Sequence, residues 1–559
     1  MTSIGPLACL LALALPVAPL AAKQEPRPLE YLRLVDRADS LARSADFGGA
    51  AEVYGDALEV NPYDDGLWLR HARYSHRAGD LRTAAAAYER AIELGNDRRA
   101  NTMVQLAALF AEMGEDEEVF TWLERALAEP LETRPRLAEM SQFERYRDDA
   151  RFRALAGIFG EFPDRVAGWR ADLAWLVQEA KRLHAGLDRP AHSAAFDRAA
   201  AELDGRIPEL DDEAVALELQ RLIVLLGDGH SAVWSVPTER VPFRSLPIDL
   251  YAFSDGVFVV GAADAELVGR ELVSMGGLPV DTLLRRTHPF ISRDNPMGLR
   301  ASAPGYLTRM AVLRELGAAP DLEAAEIELR ASDGTTETVR LSAGPRRPFW
   351  RPRPPPGGGA PPRWLRDGPT IWMEEGIAPG VVYVQFRAVA NPEGSSIEAF
   401  ADSLHDVLDR SDSDAVILDV RRNGGGNNFL NAPLVTALIR FQADRADRRI
   451  YVLTSRHTFS AAQNFVNQVR RWTYPTFVGE PTGSRPNFAG ETTPVHMPFS
   501  GLRASISSRY WQDSHATDSR IWIAPDIPVE LDSQAYFGNR DPVLTAALDH
   551  VMSSRSPRR

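Results

Sequence analysis

The sequence predicts a multidomain chain that runs from α-helical repeats, through a small helical subdomain and a β-rich module, to a C-terminal α/β domain. Three observations carry that prediction. Residues 31–130 repeat themselves at a spacing of 34, the middle of the chain switches from helical apolar spacing to short alternating runs, and from Val381 onward strand-like and helix-like segments alternate. At 559 residues the chain is too long for one core, and 44% hydrophobic with 25% charged residues is an ordinary globular composition. A formal net charge of −14, with no basic run long enough to track a phosphate backbone, excludes nucleic acid as a partner.

The chain opens on an apolar run, Leu7 to Leu20, whose 14 residues fall short of the roughly 20 that span a bilayer. It ends in Leu20-Ala21-Ala22 before the polar Lys23-Gln24-Glu25. Residues 1–22 therefore read as a signal peptide cleaved near Ala22, although no Lys or Arg precedes Lys23. Export to a periplasm or the cell exterior is expected. The single cysteine, Cys9, lies inside this run, so disulfides, cysteine nucleophiles and cysteine-bound zinc are excluded from the rest. No later stretch is long and apolar enough to be a membrane helix.

Between residues 31 and 130, Asp46, Tyr54, Ala57 and Leu58 fall on Asp80, Tyr88, Ala91 and Ile92 at a shift of 34. Gly79, Glu89, Arg90 and Ala91 recur at a shift of 35 as Gly114, Glu124, Arg125 and Ala126. The period and the small-aromatic-small pattern resemble tetratricopeptide repeats, whose helix pairs stack because one repeat cannot bury its apolar face alone. A plain helical bundle fits the same three copies. Such a segment carries no chemistry and is expected to bind a partner or a substrate segment on a concave face.

Residues 160–230 keep helical spacing, with Leu173, Leu176 and Val177 and then Leu217, Leu219, Leu222 and Leu226 on apolar positions. This helical subdomain ends at Gly227-Asp228-Gly229-His230-Ser231, a turn with a histidine at its tip. Residues 240–345 read as strands and hairpins, for example Ile248 to Tyr251 and Val257 to Val260. Within them, Leu272 to Val280 resembles the strand and turn of a PDZ-like domain, whose sheet edge can accept an added peptide strand. Residues 347–369, centred on Pro354-Pro355-Pro356-Gly357-Gly358-Gly359, are expected to form an extended linker or loop.

Residues 370–552 make the α/β domain, with function expected in the loops beyond strand ends. After the strand Val416 to Val420 comes Arg421-Arg422-Asn423-Gly424-Gly425-Gly426, where glycines let backbone N–H groups approach a ligand closely. A simple glycine turn explains the same letters. After the strand Ile450 to Thr454, Ser460 stands at a helix start, and Ser460 with Gln463 also makes a capping-box pattern. Both roles are compatible, because the positive end of a helix favours an alkoxide as it forms.

Five motifs then occur in one order: Gly227-Asp228-Gly229-His230-Ser231, Leu418 to Gly426, Thr458-Phe459-Ser460-Ala461-Ala462, Val478-Gly479-Glu480-Pro481-Thr482-Gly483, and Ala524-Pro525-Asp526-Ile527. In them residues 160–550 resemble the C-terminal processing, or tail-specific, serine peptidases together with the tricorn core and interphotoreceptor retinoid-binding protein. The resemblance implies a ClpP/crotonase-like catalytic domain without metal or cofactor, a peptide or protein substrate, Ser460 as nucleophile, and N–H groups of Gly424, Gly425 and Ala461 as oxyanion hole.

Within that family the tail-specific branch uses a lysine as general base. This chain has only Lys23 and Lys181, and Arg485 stands where the branch has its lysine. An arginine stays protonated at pH 7, so a Ser-Lys dyad is excluded. The tricorn branch uses a histidine from the turn that here holds His230, and an imidazole suits a base near neutral pH. His457 is expected on the wrong side of the Ser460 turn, while His496 and His515 stay open as alternatives. The third member of the tricorn triad is a glutamate that falls near Ser519 here; Asp518 is one position away, and Asp513 is nearly as well placed. The expectation is an exported serine peptidase with a Ser-His pair, against the alternative of a non-catalytic protein of this fold that binds a peptide or an apolar ligand.

Overall fold

The computed structural model describes residues 28–554 apart from 97, 130–136, 235, 349–350, 356–358, 411–412 and 446. The expected signal peptide, with Cys9 and its cleavage site, lies outside the described residues. The chain divides into two compact units, the first ending at Ala156 and the second beginning at Gly157.

The first unit is built on six helices: α1 (Pro28–Arg43), α2 (Phe47–Val60), α3 (Asp65–Arg77), α4 (Leu81–Glu93), α5 (Arg99–Met113) and α6 (Asp116–Ala128). They pack in consecutive pairs, α1 on α2, α3 on α4 and α5 on α6. The repeated letters have physical work to do. Asp46 and Asp80 cap α2 and α4 by accepting the Gly49 and Thr83 N–H groups, which satisfies donors that a helix start leaves free. Tyr54 and Tyr88, and Ala57 and Ala91, are buried at matching positions where small residues let the helices approach. Gly79 and Gly114 both take positive φ, +86° and +78°, where a side chain would strain the turn after a helix.

The second unit begins with the helices Arg165–Leu183, Pro190–Arg206 and Asp212–Val224, in the expected subdomain. Leu173, Leu176, Leu219, Leu222 and Leu226 are buried in their common core, whereas Val177 is only half-buried against it. The β-rich module follows as an antiparallel sheet in the spatial order Ile248–Ala252, Val257–Ala262, Glu271–Met275, Ala324–Arg330 and Thr336–Ser342. Gly276 and Gly277, at φ +54° and +76°, turn the chain into the short strand Leu278–Pro279.

Two expectations need correction here. Three helices, Val280–Arg286, Pro296–Tyr306 and Met310–Glu315, interrupt the stretch read as strands; the second had a local signal in the Asn295 cap, which accepts from the Met297 and Gly298 N–H groups. Nor, of the linker or loop expected over 347–369, do the described residues form a free linker; they make a loop tied to its neighbours. Arg347 and Arg353 both reach the buried Asp249 carboxylate, at 2.9 and 2.8 Å, and Trp364 and Leu365 are buried beside Tyr251 and Phe253.

The α/β domain carries a six-stranded sheet in the order Ile371–Ala378, Val381–Phe386, Ala415–Asp419, Arg449–Thr454, Pro475–Gly479 and Ile527–Pro528. All neighbours after the first pair are parallel. Parallel strands bury both faces, which explains their unbroken apolar runs. Val384, Leu418 and Val452 pack against Leu404, Leu438 and Phe465 on one face; Tyr383, Ile417 and Leu453 pack against Leu544 and Ala547 on the other. A long hairpin, Asn487–His496 with Arg503–Gln512, pairs with Ala232–Trp234 through Ala232 opposite Ser505. That third sheet was not read from the sequence, and it fixes the His230 turn to the α/β domain.

Candidate active site

Ser460 sits between the strand Arg449–Thr454 and the helix Ala461–Trp472 at φ +57° and ψ −127°, a backbone conformation that suits glycine and strains any other residue. The strain is held by bonds on both sides. Phe459 donates its N–H to the Asn423 carbonyl at 3.1 Å, Thr458 Oγ1 donates to the Val420 carbonyl at 3.0 Å, and the Ser460 N–H donates to Ser484 Oγ at 3.1 Å. Its carbonyl accepts from Gln463 and Asn464. The capping-box expectation fails: the Ser460 hydroxyl makes no cap bond, and the Gln463 amide turns to Asn467 Oδ1 at 2.9 Å. The hydroxyl is left available for chemistry.

The glycine loop lies directly against it. A Cβ on Gly425, at φ +103°, would stand 2.6 Å from the Ser460 Cβ and 2.9 Å from the Ala461 nitrogen, whereas one on Gly424 would meet nothing within 4 Å. One expected donor is already spent, because the Gly425 N–H bonds to Asn423 Oδ1 at 3.0 Å. The N–H groups of Ala461, Gly424 and Gly426 have no acceptor among the described residues. Gly426 and Ala461 share with Ser460 a cavity of about 470 Å³, walled by Phe429, Phe488 and Trp511. Gly426, which the sequence reading did not name, lines this cavity, whereas Gly424 and Gly425 do not.

His230 arrives from the turn before Ala232–Trp234, and Asp228 shapes that turn. Its carboxylate accepts from the His230 N–H and the Ser231 N–H, both at 2.6 Å, from Ser507 Oγ at 2.8 Å, and faces His184 Nε2 at 3.1 Å. Burial alone would raise its pKa, but the His184 and Ser231 bonds prevail and hold it at about 2. The His230 ring lies between two phenylalanines, 4.4 Å from Phe459 and 5.3 Å from Phe488 by centroid. Neither ring nitrogen has a hydrogen-bond partner among the described residues. Burial pushes the imidazole down to about 4, with the Asp228 charge and the Ala489 backbone acting in the opposite direction. At neutral pH it is uncharged.

The other histidines separate cleanly. His457 is stacked 6.1 Å from Tyr251, away in the contact with the β-rich module, and burial lowers it also to about 4. His515 is exposed and bonded to Thr517. His496 ends the strand Asn487–His496 eight residues past Phe488, about 26 Å along an extended chain.

Asp518 is not brought to His230. It is held by Arg520 at 2.9 and 2.6 Å and by the Ser514 hydroxyl, and the Arg520 bonds keep it well below the usual carboxylate range. Asp513 goes to Gln468 at 3.4 Å, with burial raising its pKa. The residue just outside the motif simply found a nearer cation.

Sequence reasoning missed Asp294. Its Oδ1 accepts the Gly229 N–H at 2.8 Å, and its backbone carbonyl accepts Arg485 Nε at 2.6 Å. Arg485 is thus a clamp on Asp294. Burial and the Asp228 charge push the Asp294 carboxyl up to about 7, against the Gly229 N–H, the Ser484 hydroxyl and Arg485. Asn295 next to it donates to the Thr482 and Ile521 carbonyls at 3.0 and 2.8 Å. This dipeptide therefore ties the His230 turn to the loop whose Ser484 holds Ser460. Its only trace in the sequence was an Asn-Pro helix start.

The Val478 to Gly483 motif has a structural role, since Glu480 pairs with the fully buried Arg456 guanidinium at 3.0 and 3.1 Å through Nε. Among the described residues no helix is long and apolar enough to cross a membrane.

No family model matches the chain, and no curated protein sequence matches it. Solved structures do. Mature CPAF in complex with lactacystin matches at 17% identity and a TM-score of 0.50, over 69% of this chain and 97% of that one. A CPAF mutant matches at 15% identity and a TM-score of 0.51, over 70% of this chain and 99% of that one. The photosystem II D1 C-terminal processing protease also matches, at 12% identity and a TM-score of 0.32, over 66% and 96%. Over about 70% of its length, this chain has the fold of CPAF.

Proposed function

We propose that the chain is an exported serine peptidase of the C-terminal processing type, with Ser460 as nucleophile and His230 as general base. The observation that carries this reading is Ser460 itself, a strained residue at φ +57° with a free hydroxyl, pressed against a glycine loop. Strain of this kind costs about 1–3 kcal/mol and persists where function needs it. His230 would take the Ser460 proton as Oγ attacks the scissile carbonyl, and being neutral at pH 7 it is able to accept one. The resulting imidazolium would lie between two aromatic faces whose negative quadrupole favours a cation, with the Asp228 carboxylate nearby. The carbonyl oxygen, as it gains charge, would meet the free N–H groups of Ala461 and Gly426 at the positive end of the helix Ala461–Trp472. The imidazolium would then give its proton to the leaving amine as the C–N bond breaks, which leaves an acyl-enzyme, and water would hydrolyse that ester with His230 again as base.

The likeness to a fold carried by proteases supports this reading, as does the motif order. One feature favours the other reading: among the described residues no carboxylate hydrogen-bonds to the His230 ring, so the pair lacks the orienting acid of a full triad. A fluorophosphonate probe separates the two. Labelling of Ser460 that is lost in Ser460→Ala supports the peptidase, and no labelling of the parent chain supports a binding protein. The helical front unit, read as tetratricopeptide-like repeats, would serve as a docking region for substrate or partner.

A further inference from the structure

The cavity beside Ser460 holds a polar group that the hydrolytic steps do not use. Asn464 stands one helical turn after Ser460 and donates its backbone N–H to the Ser460 carbonyl at 3.2 Å, and it lines the same cavity of about 470 Å³. Asn464 is 1% exposed, whereas Phe429 on that cavity is 77% exposed. Asn464 therefore lies at the floor and Phe429 at the mouth. Two other asparagines line the cavity with their side-chain oxygens in use, Asn427 Oδ1 accepting the Phe429 N–H at 3.1 Å and Asn428 Oδ1 accepting from Asn431 Nδ2 at 2.9 Å. Asn464 Oδ1 has no partner among the described residues. A buried amide oxygen left so costs free energy, which a donor on a ligand would recover.

The walls narrow what could carry that donor. Phe429, Phe488 and Trp511 supply three aromatic surfaces. Phe488 and Trp511 are register partners on the strands Asn487–His496 and Arg503–Gln512, and each is steadied by a neighbour, Phe488 by the His230 ring at 5.3 Å and Trp511 by the Arg509 guanidinium at 5.2 Å. Such walls pack best against a further ring in offset or edge-on contact. No Lys, Arg or Asp lines the cavity, and its one acid, Glu491, is exposed, so the floor holds nothing to neutralise a charged tip. A ring with a neutral hydrogen-bonding tip satisfies both walls and floor. Tyrosine is that side chain, since its hydroxyl both donates and accepts and so suits either end of the Asn464 amide. Phenylalanine would fill the same walls and leave Oδ1 unpaired, while glutamine would bring the donor without the ring.

We propose that this cavity takes a tyrosine side chain of the substrate next to the scissile bond, with Asn464 selecting its hydroxyl. The inference rests on the proposed site at Ser460, and the test separates the two. The full chain carrying Ser460→Ala, which consumes no peptide, is titrated by fluorescence anisotropy against labelled ten-residue Gly/Ser peptides that hold one central Tyr, Phe, Gln, Lys or Glu. The Tyr peptide is expected to bind about tenfold tighter than the Phe peptide or more. Adding Asn464→Leu, which keeps a branched side chain and removes the amide, is expected to bring that ratio to about one. Far-UV circular dichroism matching the parent shows that the variant is folded, and the preference between Tyr and Phe in the chain that keeps Asn464 is read without it. Equal binding of the Tyr and Phe peptides, tighter binding of the Gln, Lys or Glu peptide, no binding at all, or a Tyr preference unaltered in folded Asn464→Leu overturns the inference. Fluorophosphonate labelling of the chain with Ser460 intact reads the other question. Labelling beside equal Tyr and Phe binding keeps the peptidase and removes the tyrosine site, whereas a Tyr preference without labelling keeps the site and removes the peptidase.

Discussion

A methyl group added to Gly425 would lie 2.6 Å from the Cβ of Ser460, so the glycine loop and the candidate nucleophile touch with no room between them. Gly425→Ala must push one of them away, and it also strains a backbone at φ +103°. The expected result is loss of peptide hydrolysis and of fluorophosphonate labelling by at least 100-fold, the scale of losing an oxyanion donor. Gly424→Ala, which meets nothing within 4 Å and has no positive φ, should stay within a few-fold of the parent. Similar losses in both variants would mean the loop acts through its sequence and not through this contact.

Ser460 bears backbone strain without a compensating cap bond. Ser460→Gly should therefore abolish hydrolysis while raising stability by about 1 kcal/mol, since glycine enters this conformation freely. Ser460→Ala should abolish hydrolysis with stability near that of the parent. Thermal melts of the three proteins decide it, and a Ser460→Gly variant less stable than Ser460→Ala would show that the turn is not strained.

Asp228 gathers donors from His230, Ser231, Ser507 and His184. Asp228→Ala leaves these buried groups unpaired, so a loss of about 3–5 kcal/mol is expected in urea unfolding at pH 7. The pH sign follows from its lowered pKa. With a folded value of about 2 against an ordinary 3.8, the ionised carboxylate stabilises the fold above about pH 4, and that contribution is lost as pH falls through 2. The gap between parent and variant should thus narrow in strong acid by about 2 kcal/mol; a gap that stays constant down to pH 2 would refute the assignment.

The elements that sequence alone disclosed are those with a periodic or local cause. Buried parallel strands leave apolar runs such as Ala415 to Leu418, and Asp46 and Asp80 announce helix starts. Ser460, Ala461 and the glycine loop were legible because a strand, a loop and a helix lie next to each other in sequence. His230 was legible only through its motif; what seats it, Phe488 on the long hairpin, is a tertiary contact without a sequence period. Asp294 illustrates the limit. It acts through side-chain bonds to the Gly229 N–H and the Ser484 hydroxyl, both formed far away in sequence, and only the Asn-Pro helix start beside it was visible locally. Asp518 failed for a related reason: position near a motif does not reveal that Arg520, two residues on, would claim the carboxylate.

Asp294 should impose the opposite pH slope to Asp228. Its folded pKa is raised to about 7 from an ordinary 3.8, so the folded state keeps a proton that the unfolded chain releases. Its stability contribution is full below about pH 4 and is lost as pH rises to 7. Asp294→Asn cannot ionise yet still offers an oxygen to the Gly229 N–H. The variant should match the parent near pH 4 and exceed it at pH 8 by an amount on the order of 4 kcal/mol at most. Urea melts across that range test this, and parallel curves for the two proteins would show that the carboxyl does not titrate in the fold.

The pH dependence of hydrolysis bears most directly on the general base. A free imidazole would give an acid limb near pH 6.5, but burial between Phe459 and Phe488 lowers His230 to about 4. If His230 accepts the Ser460 proton, kcat/KM should be level from pH 8 down to about 5 and fall with a midpoint near 4, because that ratio reports the free enzyme. Opening the sandwich should move the midpoint in a known direction. Phe488→Ala admits water to the ring, relieves the desolvation and should shift the limb upward toward 6.5. His230→Ala should lower kcat/KM by about 100-fold to 10,000-fold, while His457→Ala, whose ring lies against Tyr251, should leave more than a tenth of the activity. Because both histidines have lowered values, folding stability is present above about 6.5 and is lost as pH falls through 4, so initial rates must be read before the protein unfolds. An acid limb at 6.5 in the parent, or a severe loss in His457→Ala beside a slight one in His230→Ala, would remove His230 from the role.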